Sequence, residues 1–91
     1  MPAYRIEFIK SAVNEFKKLP KNMKARVLEA LNILANNPSS EFLKIKKLKG
    51  ADALYRTRLG DYRLVYEIRE DALIIVVIKI GHRKDVYRFL D

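Results

Sequence analysis

The spacing of apolar side chains changes from a helical to an alternating pattern near Pro38. After Ser11, apolar residues recur at every third position, which predicts a first helix capped by Ser11. This stripe consists of Val13, Phe16 and Leu19. Pro20 interrupts the pattern, and a second stripe then predicts a helix that stops before Pro38. The second stripe consists of Met23, Val27, Ala30, Leu31 and Leu34.

Strand patterns lie on both sides of these helices. Residues 3–9 alternate between apolar and polar side chains, which predicts a first strand. Three further candidates follow Pro38, at residues 55–59, 62–68 and 73–80. The short gaps between these three segments favour antiparallel hairpins. Residues 42–49 are basic and only partly alternating, so they fit either an irregular segment or a short strand.

The order of these elements predicts an α+β fold, with residues 1–91 forming a single domain. Two N-terminal helices pack on one face of a small antiparallel β-sheet, in the order β-α-α-β-β-β. Residues 73–80 are apolar on both faces and are expected near the centre of the sheet. Residues 86–90 fit either a short C-terminal helix or an extended tail.

Strand alternation also assigns three arginines to a common face. One face of the strand at residues 62–68 carries Tyr62, Leu64, Tyr66 and Ile68. That apolar face should meet the helices, which leaves Arg63 on the other face. If Tyr55 and Leu59 point into the core, Arg56 and Arg58 point away from it. The three arginines are therefore expected to form a cationic surface, although solvated side chains on an ordinary hairpin remain an alternative.

The net charge gives this surface a plausible partner. Nineteen Lys and Arg residues against eleven Asp and Glu residues leave a net charge of +8 and a pI near 9.9. So basic a small chain attracts polyanions, nucleic acid above all, although the charge also serves solubility. The chain has no cysteine, no membrane-length apolar run and no apolar core of a signal peptide near its start. A cytoplasmic protein that needs no metal or cofactor is expected.

A second group of polar residues follows the last strand, in the segment GHRKDVYRFL at residues 81–90. Gly81 permits a sharp exit from the sheet, and His82, Arg83 and Lys84 come directly after it. A helical turn would place Arg83 and Tyr87, four positions apart, on one side. Taken singly, a tyrosine of this kind is more often a packing residue, and a lone histidine is usually a surface residue.

Taken together, these segments resemble the RelE/ParE superfamily of toxins from toxin–antitoxin systems. The resemblance extends over nearly the whole chain and rests on ILANNP, KLKG, LYRTRLGDYRLVYEI and IGHRKDVYRFL. It implies a RelE-like, ribosome-dependent endoribonuclease that cuts messenger RNA in the ribosomal A site without a metal. It also implies neutralisation by a cognate antitoxin in a hetero-oligomer, with no membrane partner.

The resemblance carries functional roles to particular residues of this chain. Arg63, Arg83 and Tyr87 fall at catalytic positions, and Arg56 and Arg58 at substrate-binding positions. In this reading the phenol of Tyr87 is the base that activates a ribose 2′-OH, because adjacent guanidinium groups favour the phenolate. The arginines clamp the phosphate and neutralise the transition state. His82 and Lys84 are further substrate-binding candidates, and either could donate the proton to the leaving oxygen.

Two other functions are compatible with the same sequence. A ParE-type toxin shares the fold but inhibits DNA gyrase through protein contacts, without cleaving RNA. A non-catalytic module could bind RNA or DNA through the basic face alone. The convergence of four arginines and one tyrosine favours the ribonuclease over the gyrase inhibitor. The strands show no exposed aromatic pair suited to stacking bases, which disfavours the binding module.

Overall fold

The computed structural model describes residues 3–48 and 53–90 of the chain. Its helices and strands are, in chain order, β1 (Arg5–Phe8), α1 (Lys10–Lys17), α2 (Lys21–Asn36), β2 (Lys44–Lys47), β3 (Leu54–Leu59), β4 (Tyr62–Arg69), β5 (Ile74–His82) and α3 (Arg83–Leu90). The predicted α+β class is confirmed. Two elements extend the predicted order, because the basic segment contains a short strand, β2, and the C-terminal segment is a helix, α3. Lys49, the end of that basic segment, lies outside the described residues.

The strands form a five-stranded sheet in the order β1-β5-β4-β3-β2. Three of the four pairings are antiparallel, as expected, whereas β1 runs parallel to β5. The apolar strand β5 lies inside the sheet, between β1 and β4. Its two apolar faces suit this position, because helices cover both of them along part of the strand. The lysine-rich strand β2 lies at an edge, where exposed lysines discourage pairing with other chains.

The helices α1 and α2 pack on one face of this sheet. The predicted stripe of α2 is confirmed, since Met23, Val27, Ala30, Leu31 and Leu34 are all buried. They contact apolar side chains of the sheet, among them Leu64, Tyr66 and Ile68, which strand alternation assigned to the helix side. The sheet contributes Leu59, Leu64, Tyr66, Ile68, Ile75, Val77 and Ile80 to this core.

The start of α1 differs from the prediction. Ile9, not Ser11, occupies the N-cap position, and no side chain caps this end of the helix. The reason is that β1 ends at Phe8 and the backbone passes into the helix after one extended residue. Ser11 consequently lies inside the first turn, and Val13 remains 36% exposed while Ala12 is fully buried.

Strand β5 contains a β-bulge at Ile78. Val65 of β4 pairs with Lys79, and the next residue, Tyr66, pairs with Val77, so Ile78 is an extra residue in β5. The bulge reverses the alternation of the strand, because Val77 and Ile80 both reach the core although three positions separate them.

Helix α3 packs on the face of the sheet opposite α1 and α2. Val86 of α3 and Val65 of β4 are fully buried yet lie outside the main core. Gly81 lies next to Val86, because a Cβ at position 81 would be 3.8 Å from a Val86 methyl group, an ordinary contact distance. Within the described residues, none of the helices combines the length and the apolar character needed to cross a membrane.

Candidate functional site

The strand register places the predicted arginines on the face that α3 partly covers. Arg58 and Arg63 are directly opposite each other on β3 and β4, and Arg56 is opposite Val65. The edge strand β2 extends the positive charge, because Lys44 pairs with Arg58 and Lys46 with Arg56. We call this set, Lys44, Lys46, Arg56, Arg58 and Arg63, the cationic face. Sequence alone does not place the two lysines here, because it does not reveal their strand partners.

Arg63 is the most deeply placed member of the cationic face. Its residue is only 3% exposed, an unusual burial for a charged side chain. One guanidinium nitrogen, Nη1, donates hydrogen bonds to the carbonyl oxygens of Gly60 at 2.7 Å and Tyr62 at 3.0 Å. Gly60 adopts a φ of +61° in the turn between β3 and β4, a conformation that suits glycine. The turn therefore fixes the position of the buried charge.

The phenol of Tyr87, on α3, lies next to the buried guanidinium of Arg63. Hydrogen bonding to Arg63 and the positive charge of Arg63 lower the pKa of the Tyr87 phenol, and Arg56 acts in the same direction more weakly. The ring is 47% exposed, so solvent reaches the phenol. Side chains from β3, β4 and α3 thus meet at one point.

The arginines of this site lack carboxylate partners. In the part of the chain that the structure describes, the ion pairs are Arg5–Glu7, Arg69–Glu67 and Lys79–Glu15. The Nε–H groups of Arg56 and Arg63 are buried and have no hydrogen-bond acceptor among the described residues. Two guanidinium groups without a carboxylate partner in the described part of the chain leave net positive charge at this point, which favours the approach of an anion.

The remaining predicted site residues lie at the start of α3. Arg83 is exposed and begins the helix, where its backbone N–H donates to the carbonyl oxygen of Asp61 at 2.7 Å. Lys84 is exposed as well, and its backbone N–H donates to Nδ1 of His82 at 3.3 Å. The imidazole of His82 makes an edge contact with the ring of Tyr62, with 5.8 Å between centroids.

His82 is consequently separated from the cationic face. Its contact residue, Tyr62, packs against the main core on the side of α1 and α2. Gly81, one position earlier, pairs with Arg63 and lies on the other side of the sheet. The structure therefore brings Arg56, Arg63 and Tyr87 together and leaves His82 across the sheet from them.

A cleft next to Arg58 was missed in the sequence. It lies between α2 and the edge of the sheet and has a volume of about 650 Å³. Its lining combines cationic and apolar side chains, among them Arg26, Ile33, Phe42, Lys44 and Arg58. Phe42 is 90% exposed. The available sequence signal was an aromatic residue, Phe42, at the start of the basic segment. Among the described residues, the structure brings no three His, Asp or Glu side chains together as metal ligands.

Comparisons of the sequence place this chain among known toxins. The family described as "ParE toxin of type II toxin-antitoxin system, parDE" matches residues 6–87. Toxin RelE3 of Methanocaldococcus jannaschii is 32% identical over 87 residues, which cover 93% of this chain and 97% of that protein. The mRNA interferase toxin RelE of Escherichia coli K12 is 29% identical over 84 residues, covering 90% of this chain and 85% of that protein.

The fold leads to the same group of proteins. A chain of the archaeal RelE–RelB complex from Pyrococcus horikoshii OT3 superimposes with a TM-score of 0.78. It is 36% identical in sequence, and the match covers 89% of this chain and 96% of that one. Because the family match spans nearly the whole chain and the fold agrees with it, this protein belongs to the RelE/ParE superfamily of type II toxin–antitoxin toxins.

Proposed function

We propose that this toxin is a RelE-type mRNA interferase, an endoribonuclease that cuts messenger RNA in the A site of the ribosome. The observation that carries the proposal is the meeting of the guanidinium groups of Arg56 and Arg63 with the phenol of Tyr87, whose pKa they lower. An E. coli relative bears the name mRNA interferase, which supports this activity. The proposal treats the chain as one domain that acts in the cytoplasm, where ribosomes translate.

The proposed reaction needs no group beyond the protein and the RNA. The phenolate of Tyr87 accepts the proton of a ribose 2′-OH, and the 2′-oxygen attacks the adjacent phosphorus. A pentacoordinate phosphorane forms, and Arg56 and Arg63 stabilise its extra negative charge. The bond from phosphorus to the 5′-oxygen then breaks, leaving a 2′,3′-cyclic phosphate and a 5′-hydroxyl.

The outer cations have binding roles in this proposal. Arg58 is exposed at the rim of the cationic face, where it holds a neighbouring phosphate. We assign Arg83 to the leaving-group side as a binding residue, because its guanidinium stays protonated and is a poor acid. Lys84 is the proposed donor of the proton that the 5′-oxygen takes up, because its ammonium group gives up a proton more readily than the guanidinium of Arg83. A binding role for His82 stays a prediction, because its ring contacts Tyr62 across the sheet.

The partner in this proposal is a cognate antitoxin that forms a hetero-oligomer with the toxin. The solved RelE–RelB complex of Pyrococcus horikoshii supports this expectation by its similarity to the chain. An antitoxin segment with acidic and apolar side chains would complement a toxin with a net charge of +8.

A gyrase inhibitor is the second candidate, because the matching family is described as the ParE toxin. Two assays separate the candidates. Programmed ribosomes with messenger RNA, followed by mapping of 5′ ends, report cleavage, and a supercoiling assay with DNA gyrase reports inhibition. Codon-positioned cuts without loss of supercoiling support the ribonuclease. Gyrase inhibition without cuts would replace it by the second candidate.

The Tyr87→Phe variant tests the proposed chemistry. Removing the phenolic oxygen removes the proposed base, so single-turnover cleavage on programmed ribosomes should fall by about 100-fold or more. Circular dichroism and thermal unfolding should change little, because the phenol is exposed to solvent. Arg5→Gln is the matched control, since Arg5 is an exposed cation ion-paired to Glu7 on β1. Cleavage by Tyr87→Phe at the wild-type rate would refute the assignment of the base.

A further inference from the structure

Beyond the end of β1, the carboxylate of Glu15 accepts a backbone hydrogen bond from β5. The last paired residue of β1 is Phe8, opposite Val77. Three positions further along β5, the backbone N–H of Ile80 donates to Oε1 of Glu15 at 3.1 Å. The other carboxylate oxygen of Glu15 accepts from Nζ of Lys79 at 2.5 Å. Glu15 belongs to α1, so a helix side chain supplies the acceptor that an adjacent strand would otherwise supply.

This contact lies directly after the bulge at Ile78. A bulge interrupts the ladder of backbone hydrogen bonds and bends the strand, so the residues after it depend on other contacts for their position. Ile80 is only 2% exposed, and its N–H would lack an accessible alternative if Glu15 were removed. Glu15 therefore holds β5 where the strand has lost the support of β1 and has changed its alternation.

The segment that Glu15 holds leads straight to the cationic face. Gly81 follows Ile80 and pairs with Arg63 of β4. Two residues later, the backbone N–H of Arg83 donates to the carbonyl oxygen of Asp61. These two contacts set where α3 starts and which side of the sheet it follows.

The position at which α3 starts determines where the phenol of Tyr87 lies. Val86 is fully buried against the sheet, with a methyl group 3.8 Å from where a Cβ of Gly81 would lie. Tyr87 is the next residue, and its phenol interacts with Arg63 and Arg56. A displacement at the end of β5 would thus move Tyr87 relative to the arginines.

We propose that Glu15 is a positioning residue of this site, which places the phenol of Tyr87 against Arg63 by holding the backbone of β5 after the bulge. Glu15 acts through Ile80 and α3 and does not touch the RNA. A role in cleavage rests on the proposed function, whereas the positioning itself does not depend on it.

The direct test is an NMR titration of the tyrosine ring carbons. The chain has five tyrosines, and the Tyr87→Phe variant assigns the signal of Tyr87. In Glu15→Ala, the pKa of Tyr87 should rise towards the ordinary phenol value of about 10, because the phenol moves away from the guanidinium groups. Glu15→Gln keeps an oxygen acceptor for the N–H of Ile80, so it should retain most of the lowered pKa.

Two controls separate positioning from general stability. Glu7→Gln removes a carboxylate from an exposed ion pair on β1 and should leave the titration of Tyr87 unchanged. Tyr66→Phe destabilises the core on the far face of the sheet and should also leave it unchanged. An unchanged Tyr87 titration in folded Glu15→Ala would overturn the proposal. If Glu15→Ala does not fold, Glu15→Asp replaces it. The shorter side chain of aspartate draws the carboxylate away from the N–H of Ile80, so the pKa of Tyr87 should again rise, and an unchanged titration would overturn the proposal.

Cleavage provides a separate readout of the same variants. A displaced base should reduce single-turnover cleavage by Glu15→Ala by about 10-fold to 100-fold, with partial rescue by Glu15→Gln. Wild-type protein that cuts no RNA would refute the proposed function while the tyrosine titration still decides the positioning role. If a Glu15 variant had a raised Tyr87 pKa but cleaved RNA at the wild-type rate, the position of the Tyr87 phenol would not matter for cleavage.

Discussion

Tyr66 and Tyr87 show how strongly the two faces of the sheet differ for the same side chain. Tyr66 lies in the main core, where its hydroxyl forms a 2.8 Å hydrogen bond with the hydroxyl of Thr57. Burial raises the pKa of Tyr66 to about 12, against a smaller opposing effect of Thr57. Tyr87 lies on the cationic face, and Arg63 lowers its pKa. A phenolate is thus disfavoured in the core and favoured at the proposed site.

The raised pKa of Tyr66 predicts a loss of stability at alkaline pH. An unfolded tyrosine titrates near about 10, so the contribution of Tyr66 is fully present below that pH. It is lost as the pH rises to about 12, where the folded form also loses its proton. The loss is about 2 to 3 kcal/mol, because each pKa unit corresponds to about 1.4 kcal/mol.

The Tyr66→Phe variant checks this prediction in urea unfolding experiments. At neutral pH the variant should be less stable by about 1 to 3 kcal/mol, since the buried hydroxyl of Thr57 loses its partner. Between pH 10 and 12 its free energy of unfolding should fall less steeply than that of the wild type. Parallel curves for the two proteins would show that Tyr66 is not the titrating group.

At the scale of secondary-structure elements, the turn between β3 and β4 supports the site. Gly60 has a φ of +61°, and its carbonyl oxygen accepts a hydrogen bond from Arg63. Gly60→Ala should cost about 1 to 2 kcal/mol, because a residue with a Cβ is strained in this conformation. The added Cβ would also approach Nη1 of Arg26 to 3.2 Å, although that flexible side chain can move.

Gly60→Asn is the matched variant, because asparagine tolerates the left-handed conformation better than alanine. Chemical denaturation should therefore rank stability as wild type, then Gly60→Asn, then Gly60→Ala. An equal loss for both substitutions would indicate that contact with Arg26, and not backbone strain, is decisive.

Much of the element order could be predicted from the sequence, because alternation and helical spacing are local properties. They were sufficient for the buried stripe of α2 and for the shared face of Arg56, Arg58 and Arg63. The bulge at Ile78 could not be predicted, since a bulge is defined by the pairing partner. Simple alternation through β5 would place His82 with Ile74, whereas the bulge moves it to the side of Tyr62.

The sequence indicated which residues form the site but not the contacts that these residues make. The resemblance to the superfamily indicated Arg63 and Tyr87, and the superfamily itself is confirmed. The burial of Arg63 depends on the turn carbonyl oxygens, and the free Nε–H groups depend on which carboxylates are near. The support from Glu15 joins residues 65 positions apart in the chain, a distance that local patterns do not span.

At the scale of the whole molecule, the net charge of +8 predicts RNA binding that weakens with salt. Each phosphate neutralised on a single strand contributes about 0.7 to the slope of log affinity against log salt concentration. Arg58 is exposed on the cationic face, so Arg58→Gln should lower the slope for a short single-stranded RNA by about that amount.

Arg5→Gln provides the control for this measurement. Arg5 is an exposed cation on β1, at the opposite edge of the sheet from β2, and it is already paired with Glu7. The same loss of one charge should leave the salt slope almost unchanged if binding is confined to the cationic face. Equal reductions by both variants would mean that the whole surface attracts RNA without a defined site.

The parallel pairing of β1 with β5 has a consequence for how the chain folds while it is being synthesised. β1 leaves a ribosome before its neighbour β5, which follows about 70 residues later, so the two strands cannot pair until β5 has emerged. The core and the cationic face both need β5, because it lies between β1 and β4 and leads into α3. A partly synthesised chain therefore lacks the arrangement of Arg63 and Tyr87. The sheet order thus delays formation of the site until both β5 and α3 have been translated.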